Sequence, residues 1–485
     1  MAEAPPIRLA VLGHVNAGKT SLVRALARRT DIGRVDPAPG TTEQAQVVLR
    51  AMPGAPPLAL VDTPGLQDPV TLAELVRAVP HGHTALERLR WFLKRPDAQS
   101  EFEPECRALR TALEADAVLY VLDARELVLP KFRSEIELLQ ACARSTLVVL
   151  NRLDHPHSRA ADWNAALAGH GLTAVCGFDP IAPTPQAQAQ FVRLLAGVLA
   201  TTRPDADALG PALRAEDQAR RRRQQQLIAS TLVGLAALRH TVGRAEVADE
   251  AKRAERVEAF RRQVVDQARA ARRALADLHG FPGLESALGE LPGVNGRWDE
   301  DLFDPEALRL SAQKLGTGAA IGAAIGLGLD IALAGLSLGV GTAVGAAIGG
   351  VANQGFGPMG RALVNKVTGQ QDLTLEGPVI VLVAQQLIAL DAAFERRGHG
   401  ATGPLAAALA AGEAPAIDAA AAEALVEALS AARHHADWAI GHERDDSSGQ
   451  RRQALVDRLA AALERAATAP PALPQEPDRA ALPPG

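Results

Sequence analysis

Eight residues near the start of the chain, Gly13-His14-Val15-Asn16-Ala17-Gly18-Lys19-Thr20, constrain its fold more than anything that follows. They stand between the apolar run Ile7 to Leu12 and the helix-patterned segment Ser21 to Arg29, so the order is strand, glycine-bounded loop, helix. A chain that wraps an anion closely needs glycine where a Cβ would collide, and its successive N–H groups turn inward to form an anion nest. The helix that begins near Lys19 adds the positive end of its dipole. The pattern is GxxxxGK[ST]: the loop from Gly13 to Ser21 cradles phosphates, Lys19 reaches the outer ones and so serves turnover, and the Thr20 hydroxyl takes a magnesium ion.

Three further segments follow in the order such a site requires. Asp62-Thr63-Pro64-Gly65 closes the strand Leu58 to Val61, where Asp62 can hold magnesium through water and the Gly65 N–H can sense a terminal phosphate. Upstream, Pro39-Gly40-Thr41-Thr42 supplies a switch threonine, and Thr42 is the expected magnesium ligand and catalytic-site residue. Asn151-Arg152-Leu153-Asp154 follows the strand Thr146 to Leu150. Asp154 can accept from both N–H donors on the edge of guanine, a pair adenine lacks, so the expected cofactors are GTP and GDP with Mg2+. Asn151 would bond the base and tie down the phosphate loop. Arg152 stands where a lysine usually stacks on the base, a job its planar head and alkyl stem can also do. The last base-contacting loop is marked only by Ala174-Val175-Cys176-Gly177 and receives no role.

Around these motifs, residues 7 to about 200 alternate short β-rich runs with helical patterns, which predicts an α/β domain with a mostly parallel sheet covered on both faces. The strands read as Ile7–Leu12, Gln46–Arg50, Leu58–Val61, Ala117–Leu122, Thr146–Leu150 and Leu172–Cys176. Between Gly65 and Ala117 lie helical patterns that read as an insertion or enlarged switch region. The expected domains are 1–201 for the nucleotide-binding part, 202–299 for a helical or coiled-coil linker region, 300–468 for a helical domain, and 469–485 for a disordered Pro-rich tail. Thr202-Arg203-Pro204-Asp205 reads as a linker, and the charged, alanine-rich stretch 211–279 reads as a long helical or coiled-coil region.

Composition narrows the classes. With Lys+Arg 51 against Asp+Glu 56, the acidic balance disfavours nucleic acid as a partner, although Arg220 to Arg223 form a local basic run whose plainer reading is a solvated helix face. Cys106, Cys142 and Cys176 have neither zinc spacing nor disulfide density, which fits small core residues in a reducing cytosol. The opening MAEAPPIRL has no positive region ahead of an apolar stretch, so a cytoplasmic location is expected.

The motifs resemble those of the Era-like branch of the translation-factor-related GTPases, and specifically the bacterial Era-like proteins whose C-terminal domain of unknown function carries a Gly-rich hydrophobic hairpin. The resemblance covers residues 7 to about 180 through specific motifs, and residues 300 to 360 more loosely. It implies GTP hydrolysis in a molecular switch. In this branch an apolar residue, here Leu66, follows the Asp-x-x-Gly motif and cannot orient water. Branch members with asparagine at the fourth loop position use it to hold potassium in place of an arginine finger, and Asn16 matches that position, so slow, potassium-stimulated turnover is implied.

The hairpin falls on Leu315 to Val351, 37 residues with the single charge Asp330 and glycines at four-residue spacing, including Gly318-Gly322-Gly326 and Gly341-Gly345-Gly349. Two helices broken near Ala334 to Leu338 fit the run, each at or below spanning length. Such glycines permit close backbone approach in lipid or in a tight helix pair. A true crossing, a shallow or re-entrant insertion at the cytoplasmic face of the inner membrane, and a buried hairpin in a soluble domain all fit; Arg361 and Lys366 would suit an anionic lipid face. Three functional readings stand: a membrane-associated GTPase switch, working alone, by self-association or with a partner GTPase; a soluble ribosome or RNA-assembly GTPase; and a membrane-active structural protein gated by nucleotide.

Overall fold

The computed structural model of the chain describes residues 4–33, 46–80, 83–284, 288, 298–304, 306–308, 310, 336–338, 371–401, 403, 405–410, 417–439 and 447–468. Thr42 with the rest of its switch motif, the tail 469–485, and the glycine-rich run 315–352 apart from Leu336–Leu338 lie outside the described residues. The chain divides into two compact units. One comprises Met1–Arg221, Arg272–Pro292 and Ala389–Ala414, the other Arg222–Ala271, Gly293–Ile388 and Pro415–Gly485.

In the first unit, strands β1 (Ile7–Leu12), β2 (Gln46–Arg50), β3 (Leu58–Asp62), β4 (Ala117–Asp123), β5 (Ser145–Asn151) and β6 (Val175–Gly177) form one sheet in the order β2-β3-β1-β4-β5-β6. All neighbours are parallel except β2 with β3. β3 and β4 are buried along their whole length, as a sheet covered on both faces demands. Alternate residues feed separate cores: Leu9, Val11, Leu119, Val121, Leu147 and Val149 on one face, Ala10, Leu12, Val118, Tyr120, Leu122, Val148 and Leu150 on the other. Each fully buried Leu or Val contributes about 1.5–3 kcal/mol relative to exposure. Helix α1 (Lys19–Ala27) and the helix Pro185–Leu199 cover the first face through Leu22, Val23, Phe191 and Leu195. The segment after Gly65 folds into helices Pro69–Arg77, Ala85–Phe92, Pro96–Glu101 and Glu103–Glu114, which place Leu72, Leu89, Phe92 and Leu109 on the second.

Register brings the ends of the parallel strands level. Val11 of β1 pairs with Asp62 of β3, and Asp123 of β4 with Asn151 of β5, so the loops that follow emerge along one edge. In open α/β sheets that carboxyl edge is where ligands bind. The sixth strand is displaced from the expected Leu172–Cys176 to Val175–Gly177, because pairing with Val148 to Leu150 of β5 selects those residues. The expected linker at Thr202 to Asp205 is a tied turn: Arg203 donates to the carbonyls of Pro5 and Pro6 at 2.8 and 3.1 Å and to Asp116 at 3.1 Å. Arg220, from the basic run, is drawn into pairs with Asp217 and with Glu395 at 3.3 Å.

The second unit has its own core, in which Leu232, Phe260, Val264, Val379, Val383, Leu429 and Leu455 are buried together. Residues 211–279 are helical over most of their length. Helices Leu209–Ala237 and Glu250–Leu278 are separated by strand β7 (Arg239–Val242) and the short helix Arg244–Ala248. β7 pairs antiparallel with β9 (Gln371–Leu375), which also pairs with β8 (Leu336–Leu338), a partner too distant in sequence for a local helical pattern to reveal. β8 falls in the expected break of the glycine-rich run.

Candidate nucleotide-binding site

The phosphate loop takes the backbone its glycines were needed for. Gly13 has φ +146, and a Cβ there would collide with the Val121 carbonyl oxygen. Gly18, at φ +98, caps α1 and has no room for a Cβ beside the Asn151 amide. Between them Asn16 sits at φ 62, a left-handed conformation that asparagine tolerates better than most residues, and its side chain is exposed. Lys19 is 7% exposed and folds back on its own loop, donating to the carbonyls of Gly13 at 3.1 Å and His14 at 2.8 Å. Burial pushes its pKa down to about 8, against the opposing charges of Asp62 and Glu135. An ammonium held in so dry a position binds an anionic phosphate strongly.

Thr20 and Asp62 meet as a pair. The Thr20 hydroxyl donates to Asp62 Oδ2 at 2.7 Å, while Oδ1 is buried without a hydrogen-bond partner among the described residues. Burial pushes the Asp62 carboxyl up, and the Thr20 hydrogen bond and Lys19 counter it. A hydroxyl beside a buried carboxylate with a free oxygen fits a hard cation of the magnesium type, which takes few protein ligands and completes its shell with water and phosphate. The following turn lies against the loop: a Cβ on Gly65 would stand 2.7 to 2.9 Å from atoms of Val15, and Leu66 N–H donates to the Gly13 carbonyl at 3.3 Å. The Leu66 side chain is fully buried, so it contributes packing there. Gln67 is exposed, and its N–H donates to Glu105 at 2.9 Å.

The Asn151–Asp154 motif reaches the same place. Asn151, 2% exposed, donates from Nδ2 to the Ala17 carbonyl at 3.2 Å, and its Oδ1 is buried with no hydrogen-bond partner among the described residues. Arg152, at φ 60, donates to Asp123 at 3.2 Å, and Asp123 is also gripped by Arg125 at 2.7 Å. Asp154 is exposed beyond them. Gly177 abuts Leu153 so closely that a Cβ would not fit, and Phe178 N–H donates to the Leu150 carbonyl at 3.0 Å, so the loop after β6 starts beside the Asn151–Asp154 turn. Lys19, Thr20, Asp62, Asn151 and the loop from Gly13 to Ser21 are therefore brought together, while Thr42 lies outside the described residues.

Several contributors carry no motif. Glu135, fully buried, pairs with His14 at 3.0 Å and accepts from Tyr120 at 2.7 Å. Asp123 orients Arg152, and Glu105 receives the N–H groups of Gln67 and Asp68. The only sequence signal for Glu135 is a carboxylate on the otherwise core-facing side of the helix Pro130–Ala141, beside buried Ile136, Leu138 and Leu139.

Residues 8–152 match the family described as a 50S ribosome-binding GTPase, and residues 164–461 match a domain of unknown function, DUF3482. The chain is 31% identical over 208 residues to the tRNA modification GTPase MnmE of Acidiphilium cryptum, covering 36% of this chain and 47% of that protein. It is 29% identical over 165 residues to the GTPase Der of Pseudothermotoga lettingae, 34% of this chain and 32% of that one. Over 99 residues it is 34% identical to the probable GTP-binding protein EngB of Bartonella quintana, 18% of this chain and 46% of that one. The chain thus spans less than half the length of these curated relatives. Among solved structures it is similar to Era in complex with MgGDPNP and a segment of 16S ribosomal RNA, at 18% identity and a TM-score of 0.30, covering 40% of this chain and 57% of that one.

Proposed function

We propose that this chain, which belongs to the family of the domain of unknown function DUF3482, is a GTP-hydrolysing switch whose helical remainder responds to the nucleotide held at the carboxyl edge of its sheet. Its N-terminal domain is a P-loop GTPase domain of the type found in Era, Der, MnmE and EngB. The observation that carries the proposal is the convergence of Lys19, the Thr20–Asp62 pair and the Asn151–Ala17 bond within one loop system.

Each site residue has a part in this reading. The N–H groups from His14 to Ser21 cradle the phosphates, and Lys19 exchanges its two carbonyl partners for phosphate oxygens. Thr20 and Asp62, with Thr42, would hold magnesium, which would neutralise charge on the outer phosphates. Asn151 fastens the base-reading turn to the phosphate loop, Asp154 accepts from guanine, and Arg152 covers the base with its stem. Leu66 offers no group to orient water, and the exposed Asn16 amide would hold a potassium ion that could offset charge developing in hydrolysis. Turnover of the chain alone is then slow. The test is hydrolysis of GTP against ATP with and without Lys19→Ala: equal use of both nucleotides, or turnover surviving without Lys19, would sink the assignment.

The same proposal places the run 315–352 against the cytoplasmic face of a membrane. What supports it is composition: eleven glycines in a segment with one charge suit close helix packing in lipid. One described helix, Gly377–Arg396, is long and apolar enough to cross a membrane by length and composition, yet it is mostly buried within the fold. The competing partner is the ribosome, favoured by the description of the family that residues 8–152 match. Fractionation of the intact chain in GDP and in a non-hydrolysable GTP analogue, with and without RNase, separates them: RNase-sensitive sedimentation favours the ribosome, and RNase-resistant flotation with vesicles favours lipid.

A further inference from the structure

Two segments far from helix α1 in sequence lie against its two ends in the first unit, His279-Gly280-Phe281 at its C-cap and Arg397-Gly398-His399-Gly400 at its first turn. We propose that together they form a strap that holds α1 and the loop after β6 in fixed relation, and so sets how long a guanine nucleotide stays bound. The inference rests on the GTPase reading and adds positioning residues to it.

The strap grips the loop after β6 directly. Gly398 N–H donates to the Ile181 carbonyl at 2.6 Å, and Gly400 N–H donates to the Pro180 carbonyl at 3.1 Å. This is the loop that starts beside the Asn151–Asp154 turn. The approach is open only to glycine: a Cβ on Gly398 would run into the Pro180 carbonyl oxygen and stand 2.6 Å from Pro183 Cδ. At Gly400 a Cβ would stand 2.9 Å from the same oxygen and 3.0 Å from the Cβ of Ser21, the residue after Thr20. One residue therefore touches both the first turn of α1 and the base-side loop.

The other end of α1 is held as well. Arg28, its C-cap at φ 53, presents its carbonyl to Gly280, where a Cβ would lie 2.6 Å from that oxygen and where φ is +80. The two segments are joined through His399, which is 6% exposed. Its Nε2 donates to the His279 carbonyl at 2.8 Å, and its ring stacks on Phe281 at 4.4 Å and 5°. His279 in turn meets Asp391 at 2.8 Å, and Glu395 takes Arg220 at 3.3 Å. Gly280, Gly398 and Gly400 all fall inside the matched DUF3482 region, so that domain supplies the clamp on the GTPase domain's own helix. Opening the base-side loop to release nucleotide has to break two hydrogen bonds to the strap.

The experiment measures release of a fluorescent GDP from the full chain. Gly398→Ala and Gly400→Val are compared with Gly403→Ala, at a glycine where a Cβ would meet nothing within 4 Å. Loss of two hydrogen bonds of ordinary net strength predicts release about tenfold or more faster in the first two. Gly403→Ala should release at the wild-type rate. Single-turnover hydrolysis should stay within about twofold of wild type in all three, since only the release step is loosened. His399→Phe, which keeps the stacked ring and removes the bond to His279, gives a milder variant if Gly398→Ala does not fold, and it too should release faster. Unchanged release in folded strap variants would overturn the strap, as would hydrolysis that falls in proportion to the gain in release. Wild-type chain that fails to bind GDP would instead remove the GTPase reading, and the strap with it.

Discussion

The imidazole Nδ1 of His14, inside the phosphate loop, lies 3.0 Å from Oε1 of the fully buried Glu135. His14 also offers its carbonyl to Lys19 at 2.8 Å and forms a parallel bridge with Leu66. One side-chain pair therefore fixes the residue that stands between the phosphate lysine and the turn after Asp62. Tyr120 completes the arrangement from β4, its hydroxyl donating to the second Glu135 oxygen at 2.7 Å.

Tyr120→Phe leaves that oxygen buried without its donor. An unsatisfied buried acceptor costs about 1–3 kcal/mol, so the variant should lose that much stability in urea denaturation while still binding GDP. Loss of GDP binding by a folded Tyr120→Phe chain would mean the pair does more than brace the loop.

Asp154→Asn should transfer preference from guanine to xanthine nucleotides, because the amide donates where the carboxylate accepted. A site built around that pair should lose guanine affinity by about a hundredfold or more. Competition between GDP and XDP checks it, and an unchanged preference would remove Asp154 from the base site.

Asn16 has two separable properties, an exposed amide and a backbone at φ 62. Asn16→Gly preserves the second and deletes the first. Potassium stimulation of GTP turnover should therefore vanish in Asn16→Gly while GDP affinity persists. A variant that responds to potassium like wild type would leave Asn16 with a conformational role only.

His399 is held neutral: burial, with help from the charges of Arg28, His279 and Arg220, pushes its pKa down to about 3. Its unfolded value is near 6.5, so below that pH the unfolded chain binds the proton and the folded chain does not. The contribution of this group to stability is lost as pH falls from about 6.5 toward 3, at about 1.4 kcal/mol per pH unit. His399→Phe removes the titration. The stability difference between the two chains should move in favour of the variant through that window, and a pH-independent difference would show that the ring is solvated.

Much of the nucleotide site was legible in the chain itself, because it is built from local instructions. A glycine-bounded loop between a strand and a helix needs only a dozen consecutive residues, and β1 and β2 have the limits that their apolar runs indicate. Asp62 and Asn151 each stand at the end of a readable strand, so parallel order alone delivers them to one edge. What was not legible depends on partners far apart in sequence. Nothing near residue 239 announces that the helix there must yield to a strand, since its partner begins at Gln371. Glu135 reads as one more polar residue on a helix until Tyr120 and His14 are placed around it. Gly398 and Gly400 look like ordinary loop glycines until the carbonyls of Ile181 and Pro180 come within hydrogen-bonding reach. The sequence by itself determined the phosphate loop, the strand and helix that flank it, and the strands that end at Asp62 and Asn151. Tertiary structure alone decided which buried carboxylate braces that loop and which distant glycines clamp it, because close approach and burial are properties of two surfaces meeting, and a single segment encodes only its own.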